Sequence, residues 1–216
     1  SETQWSRLAA RYLRKEFALT KEVKRATVHI AGMGLYELFI NGQRIGEQVL
    51  APAPTDYRKT ILYNTYDVTP QLRKENAIGV ILGNGRFYTM RQNYKPYKIP
   101  TFGYPKLRLN LIVEYTDGSR QTIASDISWK LTTEGPIRSN NEYDGEEYDA
   151  RKELGDWNRT GYDDTNWISA QRVSIPSGTL RAQMIPGMKV TESLKPVSIR
   201  KQGGKHILDL SLIHIS

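Results

Sequence analysis

Apolar and polar residues alternate most regularly along the chain at residues 107–115. Leu107, Leu109, Leu111, Val113 and Tyr115 share one parity, and Arg108, Asn110 and Glu114 hold the other. Successive side chains of a strand point to opposite faces, so this segment reads as a strand with one buried face. Asp117-Gly118 turns it back into residues 119–124 as a hairpin. An earlier hairpin is signalled more strongly. Asn41-Gly42 sits between two apolar-rich runs, and both residue types accept the positive φ angles of a type I′ turn. A two-residue loop then sets Leu38 opposite Ile45 and Ile40 opposite Gln43. Ala51-Pro52-Ala53-Pro54 is too poor in donors for a central strand, and residues 61–68 resume in Ile, Tyr, Thr and Val, which favour strands. Val28 and Ile30 alternate with Thr27 and His29. Residues 77–82 are apolar without a break, as in a strand buried on both faces.

Other segments carry less regular patterns. Residues 5–20 allow helical spacing at Leu8, Tyr12, Leu13 and Phe17, but Tyr12, Arg14 and Glu16 also alternate with Leu13, Lys15 and Phe17. A strand over 11–18 is the preferred reading. Thr69-Pro70-Gln71 predicts a short helical turn with Thr69 as its cap. Trp129 and Leu131 continue the meander after the second hairpin, which closes at Gly135-Pro136. In Trp157–Trp167, two indoles bracket Gly161, Asp163 and Asp164, so the rings can cap a core while the carboxylates hold the turn. The whole reads as an all-β, antiparallel sandwich over residues 11–175, preceded by a linker at 1–10. Pro176, Pro186 and Pro196 mark a looser region, taken as the start of a second β domain at 176–209.

Charge and chemistry narrow the function. The net charge of +8 comes from 31 basic and 23 acidic residues. The basic residues are scattered along alternating strands without a nucleic-acid motif, which points to a solvated surface. No run approaches the ~18 apolar residues of a membrane span, and the lack of cysteine excludes disulfides and thiol nucleophiles. His29, His206 and His214 match no zinc spacing. Gly83-Asn84-Gly85 lacks the Lys-Ser/Thr of a phosphate loop. A glycosidase needs two opposed carboxyls, whereas Glu146-Glu147 and Asp163-Asp164 are sequence neighbours whose side chains diverge on a strand. No catalytic set emerges. The aromatic, Arg-bearing loop from Asn84 to Tyr97 fits sugar recognition better: Arg86, Phe87, Tyr88, Arg91, Asn93, Tyr94 and Tyr97 supply ring faces and donors. The same rings also suit packing against a neighbouring domain, and both readings stay open.

Several runs together resemble a known family. GLYELFINGQRIGEQVLAPAPTDYRK, LYNTYDVT and AIGVILGNGRFY, followed in order by SDISWK, GPIRSNNEYDGEEYDAR and GDWNRTGYDDTNW, are similar to the N-terminal β-sandwich domain of bacterial α-L-rhamnosidases over residues 11–172. The resemblance implies a jelly-roll, galactose-binding-like sandwich that precedes further β domains and the (α/α)6 barrel of an inverting hydrolase. Residues 180–209 are similar to the start of the next β domain. No barrel residue is present, so no catalytic residue carries over, and this chain alone is not expected to be an enzyme. Some related modules bind rhamnose with calcium and a stacking Trp, and Arg86 stands where many relatives carry that Trp. Asp56 is a calcium candidate; otherwise no cofactor is implied.

The expectation is therefore a non-catalytic accessory domain of a rhamnosidase, set against a freestanding lectin-like module and a purely structural spacer. Asp56, Tyr57, Arg86, Tyr88 and Arg91 are the candidate substrate contacts. Glu146, Glu147, Asp149 and Arg151 are assigned to an interdomain loop, with Arg151 in an internal ion pair. The implied partners are a rhamnose-containing glycan and the downstream domains, with neither nucleic acid nor membrane. The family implies a periplasmic or extracellular location. Residues 210–216 read as an adapter-derived tail foreign to the natural protein.

Overall fold

The computed structural model describes residues 8–88, 102–142, 145–174 and 176–211. Its strands are β1 Arg11–Ala18, β2 Val23–Met33, β3 Leu35–Ile40, β4 Gln43–Arg44, β5 Thr60–Asp67, β6 Glu75–Gly83, β7 Lys106–Tyr115 and β8 Arg120–Ala124. They continue with β9 Lys130–Thr132, β10 Ile137–Asn141, β11 Gly145–Tyr148, β12 Ile168–Ser169, β13 Thr179–Ala182, β14 Ser198–Gln202 and β15 Lys205–Asp209. One sheet runs β12-β9-β1-β6-β3-β4 and the other β13-β5-β2-β7-β8. They face each other across one core: Leu13, Leu38 and Val80 from the first sheet meet Val28, Ile30, Leu109 and Leu111 from the second. This is the expected galactose-binding-like jelly-roll sandwich.

The regular patterns fold as read. β1 spans 11–18, and β7 turns its Leu107–Tyr115 parity into the core. In the first hairpin Ile40 pairs with Gln43, and the Ile45 amide donates to the Leu38 carbonyl at 2.8 Å. Asn41 and Gly42 take φ values of 52° and 83°. Asn41 does more than turn the chain. Its Nδ2 donates to the Gln71 carbonyl and to Asn76 Oδ1, and its Oδ1 accepts from the Ala77 amide, all at 2.9 Å. An Asn41→Gly variant keeps the turn but strips these buried bonds, so a loss of about 1–3 kcal/mol is expected in urea melts. An unchanged midpoint would show that the turn conformation alone matters.

Three segments differ from the sequence reading. Thr69 lies inside the short 3-10 turn Thr69–Gln71 rather than capping it, because its hydroxyl is taken by the Ala26 amide at 2.8 Å. β9 does not extend the second hairpin but crosses to the other sheet, where it pairs with β1 and β12. Trp129, just before it, is fully buried, and its indole N–H donates to the Ala124 carbonyl at 2.8 Å, which anchors the crossing. Finally, residues 179–182, assigned from sequence to the opening of a second domain, pair with β5 as β13, and in parallel within an otherwise antiparallel arrangement. The β14–β15 hairpin is nearly all exposed.

Both sheets are also covered outside. Over the six-stranded sheet, Trp157 and Trp167 stack at 6.2 Å and pack with Tyr12. Gly79 of β6 makes room for them, since a Cβ there would stand 2.8 Å from Cζ3 of Trp157. Over one end of the five-stranded sheet, Tyr57 and Phe87 pack on Ala31, Met33 and Ile61. β6 and the first half of β1 are thus buried on both faces.

Candidate functional site

β6 delivers the chain into the loop that the sequence singles out, and the root of that loop is pinned. Asn84 is 2% exposed. Its Oδ1 accepts from Arg11 Nη1 at 2.7 Å, and its Nδ2 donates to the carbonyls of Leu8 and Asn140, both at 2.8 Å. Its amide donates to Asn140 Oδ1 at 2.6 Å. Burial lowers the Arg11 guanidinium pKa, opposed by Tyr88 and Tyr104, which places that cation beside both rings. Every polar atom of the Asn84 side chain is engaged with protein, so this residue shapes the loop rather than greeting a ligand.

Beyond this root the loop splits into a polar rim and an aromatic floor. Arg86 reaches the surface and pairs with Glu142 at 3.1 Å, both residues partly exposed. Phe87 turns inward to meet Tyr57 at 5.1 Å, and Phe102 lies 5.2 Å from Tyr57. Tyr88 stacks on Tyr104 at 5.8 Å and 14°. Tyr57 and Tyr88 are each only 3% exposed. The ring faces expected to meet a sugar are therefore used by the sandwich end itself. Burial pushes the Tyr57 hydroxyl up to about 12, with Arg86 opposing and Glu142 adding to the rise, so its polar tip lies near that ion pair. Arg91, Asn93, Tyr94 and Tyr97 lie outside the described residues.

Asp56 is committed locally. Its carboxylate accepts from the Arg58 amide at 3.2 Å and holds the Arg58 guanidinium at 3.0 and 3.3 Å, while its carbonyl accepts from the amides of Lys59 and Thr60. The Arg58 hydrogen bond holds the carboxyl below its usual range. Calcium takes six to eight oxygens, and the described residues gather no group of three or more His, Asp or Glu side chains for a metal. Asp56, with both oxygens on a guanidinium, does not fit the calcium role as it stands.

The interdomain candidates fall on β11 and the turn after it. Glu146 and Glu147 sit opposite Asn140 and Ser139 on an exposed ribbon. Asp149 caps the 3-10 turn Ala150–Lys152 through the Arg151 amide and grips the Arg151 guanidinium at 2.8 Å through both oxygens. That grip lowers the Asp149 carboxyl to about 2. Arg151 is in an ion pair, and its partner carboxylate is that of Asp149.

Sequence reasoning missed Glu142, Arg11 and Asn140 as partners of this end. Glu142 and Asn140 fall in the run GPIRSNNEYDGEEYDAR, but each meets the 84–86 turn 56 residues away, a distance no local pattern reports.

Known proteins share this fold. The family described as the α-L-rhamnosidase N-terminal domain matches residues 21–192. An α-L-rhamnosidase of Formosa agariphila is 42% identical over 207 residues, 93% of this chain and 22% of that protein. The structure of the α-L-rhamnosidase from Dictyoglumus thermophilum superposes with a TM-score of 0.82 at 44% identity, covering 94% of this chain and 22% of the other. The Streptomyces avermitilis α-L-rhamnosidase, solved in complex with L-rhamnose, gives 0.84 at 35% identity and 94% coverage, over 20% of its own length. The chain spans about a fifth of the length of these relatives. With overall fold and sequence agreeing over nearly its whole length, the chain belongs to the α-L-rhamnosidase N-terminal domain family.

Proposed function

We propose that the chain is a non-catalytic accessory domain of an α-L-rhamnosidase that removes terminal L-rhamnose from glycans or glycosides, and that its loop end contacts the sugar. The match carries this reading: nearly all of the chain corresponds to about a fifth of proteins described as α-L-rhamnosidases, the proportion of a module beside further domains. Carboxyl chemistry supports the non-catalytic half. A glycosidase acid needs a raised pKa. Every Asp or Glu with a displaced pKa among the described residues, including Asp56, Asp126, Glu134, Asp149 and Asp163, is displaced downward by a cation or hydroxyl partner.

The polar rim supports the sugar-contacting half. Arg86 presents a fixed fork of donors suited to vicinal hydroxyls, beside Glu142 and the Tyr57 hydroxyl. A purely structural role is the second reading, favoured by the buried rings of Tyr57 and Tyr88. The purified chain should release no p-nitrophenol from the aryl rhamnoside. Release that disappears in Glu146→Gln or Glu147→Gln would overturn the non-catalytic assignment.

A further inference from the structure

The outer face of the five-stranded sheet is only partly covered. Where the Tyr57–Phe87 cluster ends, a depression of about 280 Å³ is lined by His29, Ala31, Tyr63, Arg108, Asn110 and Leu180. Its origin lies in the register. Ala31 of β2 pairs with Arg108 of β7, and His29 pairs with Asn110, so a short side chain sits among long ones. Ala31 is 2% exposed and forms the floor. Tyr63 of β5 stands on one side, held edge to face against His29 at 5.9 Å. Leu180 enters from β13, whose pairing with β5 carries it there. The volume is close to the lower bound of small-molecule sites, ~300 Å³, and suits one sugar ring.

We propose that this depression is a second binding site, distinct from the loop end, for an acidic pyranoside: a sugar unit bearing a carboxylate. Three polar heads surround an apolar floor without serving the fold. Among the described residues the Arg108 guanidinium meets no carboxylate, and neither the side-chain amide of Asn110 nor the Tyr63 hydroxyl has a hydrogen-bond partner. The lining holds Arg and His but no Asp or Glu. Nearby acids are already paired: Glu114 with Arg120, and Asp67 with Arg25. The site is therefore cationic. A guanidinium engages a carboxylate through two parallel hydrogen bonds, while Tyr63, Ala31 and Leu180 offer an apolar bed for the ring and Asn110 reaches a hydroxyl. His29 is oriented by Thr65, whose Oγ1 lies 2.9 Å from Nδ1.

The test is a titration of the isotope-labelled 216-residue chain, at low salt, with the methyl glycoside of galacturonic acid, with neutral methyl galactoside and with acetate. The acidic glycoside should shift the amides of residues 29–31, 63 and 108–110 with a Kd on the order of 1 mM, at least fivefold tighter than either control. Arg108 is exposed, so Arg108→Gln should keep the thermal midpoint and weaken the acidic glycoside at least tenfold, to the level of the neutral one. Asn110→Ala should weaken both glycosides. Equal binding of the three probes, an unchanged Kd in Arg108→Gln, or shifts confined to residues 56–57 and 84–88 would overturn the proposal. Because the loop end shares none of the substituted residues, its reading stands or falls separately.

Discussion

Arg14→Met is expected to destabilise the sandwich by about 3–5 kcal/mol, the cost of removing one partner from a buried ion pair. Arg14 lies on β1 at 2% exposure. Its Nε donates to the Trp157 carbonyl and its Nη2 to the Arg159 carbonyl, both at 2.9 Å. The same guanidinium pairs with Asp164 and Glu16 and lies 5.5 Å from the Tyr162 ring. One cation thus ties the 157–164 segment to the six-stranded sheet. Methionine fills much of the volume but strands two carbonyls and a partly buried carboxylate. In a domain of this size the loss lowers Tm by roughly 2–4 °C per kcal/mol. Arg120→Met, at a pair with Glu114 on an exposed edge, should change stability by less than about 0.5 kcal/mol. Equal effects in the two variants would show that the Arg14 cluster is not structural.

Trp157→Ala carries the second large effect, also about 3–5 kcal/mol. The indole meets Tyr12 at 5.3 Å and Phe39 at 5.9 Å edge to face, stacks on Trp167, and covers Gly79. Alanine leaves a void under rings that strand backbones hold apart, so collapse is limited. Its loss and that of Arg14→Met should not add, because Arg14 is hydrogen-bonded to the Trp157 carbonyl. The double variant in urea denaturation checks this. Full additivity would mean that the ring and the cation act independently.

These two residues also mark where the sequence stops being legible. β7 and the Asn41-Gly42 hairpin are readable because one face is buried, so the period of two shows through. The same logic places Arg14 and Glu16 on an outward face, where polar residues mean solvent. That face is covered by a segment 143 residues further on, and only the paired tryptophans hint at it. The sheet to which β9 belongs is invisible for a related reason. Its own three residues pack alike in either sheet, and the decision rests on Trp129 and on pairing with β1. At the loop end, residue type misleads in another way. Tyrosine serves sugar stacking and aromatic packing equally well, so Tyr57 and Tyr88 identify the right end of the sandwich but not which faces stay open. The Arg86–Glu142 pair, which does stay at the surface, joins two loops that no pattern links. β13 is unreadable as part of this sandwich because its partner β5 lies far upstream.

The proposal that the loop end contacts rhamnose is tested most directly by titrating L-rhamnose into the labelled chain, in calcium and in EDTA, and following backbone amide shifts. Saturable shifts at residues 56–57 and 84–88, with a Kd on the order of 0.1–1 mM, are the predicted result. They should be unchanged by EDTA, because Asp56 is held by Arg58. No shift at millimolar sugar, or shifts only elsewhere on the sandwich, would contradict the account and leave this end as a packing surface.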